Sequence, residues 1–300
     1  MNYEELFILA NDELTKGNLL ETERIARNLI AITESNDILY SETLILLADS
    51  SRRQGAIEFA QTQIEMALTL IREHHHDNLY PKAWVQLGNV YFSLGVYDKA
   101  LEYYHKALDT HEILGEKSRV ARIIGNIGNV YNNLGSYEKA LEFYNKALVI
   151  HEEIIEKSGV ASCLGNIGVV NYSLGNYDKA LDYFVKALII HEELGEKSGI
   201  ARTIRNIGGA YYSLGSYDMA LEYYGKALVV YEELREISGI AGVTGNIGGV
   251  YLYLGSFDKA LEYFGKALSA YEDIKEKSGV VRVLGILGLC ILNSAIMTRH

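Results

Sequence analysis

The sequence predicts an all-α protein, a solenoid of short helical hairpins stacked one on the next. Three observations carry this. The segment Ala-Leu-Glu-Tyr-Tyr begins at Ala100, and close copies begin at Ala140, Ala180, Ala220 and Ala260, a fixed period of forty residues. Within a period the apolar residues fall three or four apart, as at Trp84, Leu87, Tyr91 and Leu94, which marks one face of a helix. One proline and 28 glycines in 300 residues fit helices broken by short turns. Units this small cannot bury an apolar face alone and gain stability by stacking on their neighbours.

Numbering each unit from 1 to 40, with residue 81 as position 1, residues 41–280 make six units without a gap. A first stripe marks helix A. A second, through Tyr97, Ala100, Leu101, Tyr104, Ala107 and Leu108, marks helix B. Between them Gly95, Gly135, Gly175, Gly215 and Gly255 are placed to end helix A. Ser136, Asn176, Ser216 and Ser256 follow and are placed to cap helix B. Glu138, Asp178, Asp218 and Asp258 lie in its first turn, where a carboxylate suits the helix dipole. Ser118, Ser158, Ser198, Ser238 and Ser278 are placed to cap each following helix A, and Pro81 opens one. Position 8 is Gly88, Gly128, Gly168, Gly208 and Gly248. A mid-helix glycine costs about 1 kcal/mol relative to alanine. The expected offset is close approach to the small alanine at position 20.

Residues 1–40 read as a degenerate N-terminal capping hairpin, with Gly17 at its turn and Ala26 and Leu29 on its second helix. Residues 281–300 read as an unpaired C-terminal helix that begins near Val280 and runs to about Met297. It is apolar on more than one side, through Val283, Leu284, Ile286, Leu287, Leu289, Cys290, Ile291 and Leu292. Two readings stand: a capping helix with a sticky face, or a surface for self-association or for the rest of a longer chain. A membrane span fits worst. Arg282, Asn293 and Ser294 interrupt an apolar run already shorter than the ~20 residues that a span needs.

The net charge of −11 argues against a nucleic-acid partner, which calls for a basic face. Cys163 and Cys290 are far apart in helical patterns, so no disulfide framework is expected and a cytoplasmic setting is. The acidic start, Met1-Asn2-Tyr3-Glu4-Glu5, is unlike a signal peptide. No catalytic constellation stands out. Gly125-Asn126-Ile127-Gly128 sits inside a helix pattern rather than after a strand, so it is no nucleotide fingerprint. No enzymatic activity, cofactor or metal is expected. His111, His151 and His191 share position 31 and read as a surface ladder on helix B, continued by Tyr231 and Tyr271. His74, His75 and His76 read as a solvated loop. Glu102 with Lys106, and Glu142 with Lys146, are i,i+4 pairs that support helix B.

Trp84, Leu87, Gly88, Tyr91, Ala100, Tyr104 and Ala107, at positions 4, 7, 8, 11, 20, 24 and 27, together resemble the tetratricopeptide repeat signature. Two departures stand out: a period of forty rather than thirty-four, and Glu112 at position 32 where that family often has proline. The longer period resembles Pins-type polarity adaptors and bacterial signalling proteins. The resemblance implies a right-handed superhelix with the A helices on its concave side, and a role in binding other proteins.

On the A-helix face opposite the buried stripe, position 6 is Asn126, Asn166, Asn206 and Asn246, and position 9 includes Asn89 and Asn129. Arg122 and Arg202 stand at position 2 and Arg205 at position 5, with Phe92, Tyr172, Tyr212 and Tyr253 at positions 12 and 13. Asparagine both donates to and accepts from an extended backbone, arginine holds a carboxylate in two bonds, and tyrosine gives contact area at low entropy cost. In peptide-gripping tetratricopeptide proteins asparagines at positions 6 and 9 do the holding, so the resemblance carries that role to these residues. The position-5 lysine of carboxylate-clamp members is absent, with Val85, Gly125, Gly165 and Gly245 in its place, so capture of a free C-terminus is not implied. Alternatively, the asparagines bond one another between adjacent A helices. The expected function is a non-enzymatic scaffold that binds a partly acidic peptide segment of a partner protein. The alternative is a sensory or oligomerisation region of a larger signalling protein whose effector domain is absent.

Overall fold

The structure is a computed structural model that describes residues 2–34, 37–274 and 276–297, with side chains described as far as residue 287. Among these residues the elements are α-helices with one short 3-10 helix, Asp77–Leu79, and no strand occurs. The chain divides into two compact units, residues 1–150 and 151–300.

In the first unit, α1 (Tyr3–Lys16) and α2 (Leu19–Ile32) form a hairpin, followed by α3 (Ile38–Arg53), α4 (Ile57–Glu73), α5 (Tyr80–Ser93), α6 (Tyr97–Ile113), α7 (Lys117–Asn133) and the start of α8 (Tyr137–Glu153). A reciprocal capping box opens α1: Asn2 Oδ1 accepts from the Glu5 N–H and Glu5 Oε2 from the Asn2 N–H, both at 2.8 Å. Ala10, Leu14, Ile25, Ala26 and Leu29 bury the α1–α2 hairpin against Leu46 and Leu47 of α3. The second unit continues with α9 (Lys157–Ser173), α10 (Tyr177–Leu194), α11 (Lys197–Ser213), α12 (Tyr217–Leu234), α13 (Ile237–Tyr253), α14 (Phe257–Asp273) and α15 (Lys277–Met297). Leu289, Cys290, Ile291, Leu292, Asn293 and Ser294 lie outside the residues whose side chains are described.

Both kinds of turn close in the same way. Gly55, Gly95, Gly135, Gly175, Gly215 and Gly255 adopt φ between 70 and 84°, where a Cβ would clash with the backbone. The next residue then turns its N–H back into the last helical turn, as Ser136 does to the Tyr131 carbonyl at 2.9 Å. The expected side-chain caps do not form. Asn176, Ser216 and Ser256 make no capping hydrogen bond with their side chains; their backbone N–H groups instead close the end of the preceding helix, on the carbonyls of Asn171, Tyr211 and Tyr251. Ser118, Ser158, Ser198, Ser238 and Ser278 also fail as caps. Each A helix starts one residue earlier, at Lys117, Lys157, Lys197, Ile237 and Lys277. The flanking residues are Glu116, Glu156, Glu196 and Glu236, again without a side-chain cap. The carboxylates of three of them go elsewhere, to the histidines described below.

The position-8 glycines face an aromatic ring, not the alanine at position 20. A Cβ on Gly88 would lie 2.6 Å from Tyr104 Cε1, and one on Gly128 2.7 Å from Tyr144 Cε1. Gly168 meets Phe184, Gly208 meets Tyr224, and Gly248 meets Phe264. Each ring lies flat on the backbone of the facing A helix and is at most 3% exposed.

The position-31 ladder is buried rather than on the surface. His111, His151, His191, Tyr231 and Tyr271 are each 3% exposed. The rings of the last four fill the space above Gly159, Gly199, Gly239 and Gly279, eight residues on. His151 Nδ1 donates to Glu156 Oε2 at 3.0 Å and His191 Nδ1 to Glu196 Oε2 at 2.6 Å, and His111 pairs with Glu116 in the same way. The i,i+4 pairs form as expected, with Lys106 to Glu102 and Lys146 to Glu142 at 2.6 Å.

Two stability predictions follow from this packing. Gly128→Ala should destabilise the protein by about 1–2 kcal/mol, because overpacking against Tyr144 (about 1–3 kcal/mol) outweighs the better helix propensity. Gly125→Ala, with open space around its would-be Cβ, should instead stabilise it by up to about 1 kcal/mol. Urea midpoints of the two variants should therefore move in opposite directions. At the turn after α8, Ile155 holds φ 57° with its side chain 81% exposed, whereas Gly115 and Gly195 fill the matching place in other repeats. A branched residue there is strained by about 1–2 kcal/mol. Ile155→Gly should raise the midpoint, and an unchanged or lower value would show that the turn carries no strain.

Candidate functional site

The A helices keep one face half open. In the first unit it carries Asn89 and Phe92 on α5 and Arg122, Asn126 and Asn129 on α7. In the second it carries Asn166 and Tyr172 on α9, Arg202, Arg205, Asn206 and Tyr212 on α11, and Asn246 and Tyr253 on α13. All lie on the outer side of helices whose inner side is pinned by the aromatic–glycine contact.

The asparagines divide by task. Asn89 Oδ1 accepts the Tyr104 hydroxyl at 2.7 Å, and Asn129 Oδ1 accepts the Tyr144 hydroxyl at 2.7 Å. Burial pushes the Tyr104 phenol well above its ordinary pKa, so it remains a proton donor. The position-9 asparagines thus serve the core from the edge of the open face. Asn126 also reaches Asn89 Oδ1 from the next A helix, at a long 3.4 Å, which is the inter-helix bonding weighed as the alternative. A sequence signal for this pairing existed: Asn89 and Asn129 accompany Tyr104 and Tyr144, whereas Val169 accompanies Phe184, which has no hydroxyl. By contrast, Asn206 and Asn246 make no side-chain hydrogen bond among the described residues. Asn132 Oδ1, on the same face, is buried without a donor.

The cations divide as well. Lys82 at position 2 is paired with Glu42 at 2.7 Å. Arg122 and Arg202 are exposed and Arg205 is half-buried, and none of the three has an ion-pair partner among the described residues. Tyr212 and Tyr217 each pack against Tyr253, with ring centroids 6.2 and 4.8 Å away. Hydrogen bonding to Tyr253 helps push the Tyr217 phenol up to about 12. Tyr172 packs on Tyr177 at 5.4 Å and its hydroxyl meets Ser213 Oγ at 2.9 Å. Phe92 packs on Tyr97 at 6.0 Å.

Nothing in this arrangement activates a nucleophile. Cys163 is buried and its thiol is pushed up to about 12 by that burial, the opposite of a reactive thiolate. Among the described residues no group of His, Cys, Asp and Glu is placed to hold a metal ion, and no helix is long and apolar enough to cross a membrane.

A solenoid of helical hairpins that presents asparagine, arginine and tyrosine on one helix face belongs to the class of repeat scaffolds for protein–protein interaction. The family is shown by sequence: tetratricopeptide repeat models match residues 80–153, 119–193 and 159–233, and a further one matches 243–274. The chain belongs to the tetratricopeptide repeat family. No curated protein matches the chain by sequence. Among solved structures, the fold is similar to a Rap protein complexed with competence and sporulation factor, with a TM-score of 0.69 at 16% identity over 91% of this chain and 80% of that one. It is also similar to the Rap conjugation gene regulator of the plasmid pLS20 in complex with a Phr peptide (TM-score 0.66, 18% identity, 96% and 79%). A third is a signal transduction ATPase with a tetratricopeptide repeat sensor from Pyrococcus horikoshii (0.63, 16%, 92% of this chain and 43% of that one).

The Asn89–Tyr104 pairing is testable by a double-mutant cycle. Asn89→Val should cost about 1–3 kcal/mol by leaving the buried Tyr104 hydroxyl without an acceptor. Adding Tyr104→Phe, which recreates the Val169–Phe184 arrangement, should recover most of that loss in the denaturation midpoint. Additive losses would refute the pairing.

Proposed function

We propose that this protein is a non-enzymatic scaffold that binds an extended, partly acidic segment of a partner protein against the open face of its A helices. One observation carries the reading. The chain has 39 acidic and 28 basic residues, yet Arg122, Arg202 and Arg205 stand on this face with no carboxylate partner among the described residues. Unpaired guanidinium groups beside half-exposed amides are suited to a backbone that brings its own carboxylates. Asn126, Asn166, Asn206 and Asn246 take the contacts to that backbone. Asn89 and Asn129 act from behind, holding the tyrosines. Tyr172, Tyr212 and Tyr253 with Phe92 add apolar contact. Peptide binding by a Rap relative of the same fold supports the reading.

A second reading makes the chain the sensory or oligomerisation region of a larger signalling protein. The signal transduction ATPase supports it, since this chain corresponds to less than half of that protein. So do Val281 and Leu284 on α15, which are 70% and 50% exposed and offer a surface for self-association. The setting proposed for either reading is the cytoplasm.

Affinity capture from host extract distinguishes the two. The parent chain is compared with an Arg122→Glu, Arg202→Glu, Asn206→Ala variant whose helix content is unchanged by circular dichroism. A protein retained by the parent should be lost from the variant, and its affinity for the parent should fall as salt rises. Equal capture by both would move the interaction off this face, to helix B or to α15.

A further inference from the structure

Position 31 changes identity along the repeats, from His111, His151 and His191 to Tyr231 and Tyr271. All five are buried, but they end differently. The imidazoles are taken up by Glu116, Glu156 and Glu196 at the helix junction. A phenol is longer, and its hydroxyl projects past the glycine beneath the ring toward the A-helix face. The Tyr271 hydroxyl accepts a hydrogen bond from Arg282 Nη2 at 2.6 Å. A Cβ on Gly242 would lie 3.5 Å from that hydroxyl and 3.9 Å from Arg205 Nη1. Tyrosine hydroxyl and Arg205 guanidinium therefore approach one point, above a residue with no side chain.

The surroundings extend this convergence. Arg202, Gly242 and Arg282 occupy position 2 of three successive A helices, α11, α13 and α15. Gly245, one turn on from Gly242, has only Ala267 Cβ within 4 Å of its would-be Cβ, at 3.8 Å. The floor is thus glycine, with the Arg205 and Arg282 guanidinium groups beside it. Arg205 and Arg202 also act electrostatically on the Tyr231 phenol. Of the acidic groups nearby, Glu276 accepts from two serines, Ser238 Oγ at 3.2 Å and Ser278 Oγ at 3.4 Å, and Glu236, at the start of α13, acts on the Tyr231 phenol. None of the three arginines forms an ion pair among the described residues. The first unit has no equivalent, since Val85 and Gly125 stand at position 5 and His111 is engaged by Glu116.

We propose that Arg205, Arg282 and Tyr271 form a recognition site for a carboxylate, the side chain of one Asp or Glu in the bound segment. The inference rests on the open-face reading above and names where that segment is anchored. Arg205 and Arg282 grip the carboxylate from two sides, with the planar fork geometry that suits two parallel bonds. The Tyr271 hydroxyl turns its proton to a carboxylate oxygen. Gly242 and Gly245 let the acidic side chain descend to the helix backbone, where any larger residue would stand in its way.

A phage-displayed library of short random peptides, panned against the full chain, tests this. The parent should enrich peptides that share an Asp or Glu at one fixed place. Changing that residue to Asn or Gln in a synthetic peptide should weaken binding to the parent about tenfold. An Arg205→Gln, Arg282→Gln variant should still enrich peptides but lose the acidic preference, and the synthetic pair should bind it equally. The comparison of the two peptides on the parent stands even if that variant fails to fold. Enrichment without an acidic preference would overturn the carboxylate site while leaving the open-face reading intact. If the parent enriches no peptide, both fall together.

Discussion

The contact on which the five hairpins from α5 to α14 depend is an aromatic ring laid flat on a helix backbone. Tyr104, Tyr144, Phe184, Tyr224 and Phe264 each cover the glycine at position 8 of the facing helix. A glycine inside a helix is poor on propensity by about 1 kcal/mol. The cost is offset because a large ring buries its face at short range against the peptide backbone, which no other residue would permit. The same device appears a second time at the hairpin junctions, where His151, His191, Tyr231 and Tyr271 sit over glycine. From α8 onward, two aromatic–glycine contacts per repeat set both spacings, within a hairpin and between hairpins.

That contact has a polar consequence. A tyrosine pressed into a helix must place its hydroxyl, and a buried hydroxyl without a partner is costly. Asn89 and Asn129 supply the acceptor from the open face. Where the ring is Phe184 the matching residue is Val169, and where it is Phe264 it is Gly249. Tyr224 faces Gly209, so its hydroxyl, 3.6 Å from where a Cβ would stand, borders the open face directly. Core and surface are therefore coupled through single side chains, and a residue's place on the open face does not by itself make it a contact residue.

The charges follow a similar division. Along helix B, Lys106, Lys146, Lys226 and Lys266 are each neutralised one turn away by a glutamate, and these exposed pairs contribute little. Arg122, Arg202 and Arg205 on the A helices have no such partner among the described residues. In a chain with a net charge of −11, unpaired positive groups are local exceptions that attract negative charge. Arginine's fixed fork then adds geometry to attraction, which a lysine would not.

Much of this was legible in the sequence because repetition exposes it. The forty-residue period, the two helical stripes, the turn glycines and the tetratricopeptide resemblance all depend on local spacing, which a chain displays without folding. The face carrying Asn206, Asn246, Arg202 and Arg205 was legible for the same reason. What lay across the hairpin was not. The partner of Gly88 was read as a small alanine and is the Tyr104 ring. The histidine ladder was read as surface and is buried. The serines read as caps make no capping bond where they open helix B, and lie inside the first turn of helix A, which starts one residue earlier. Each depends on which atoms meet between two helices, and helical periodicity specifies a face but not the residue that faces it. The sequence alone determined the helices, their order and their exposed polar residues. Only the tertiary structure decided which of those residues serve the core and which remain unpaired, because that is settled by distances between side chains on different helices.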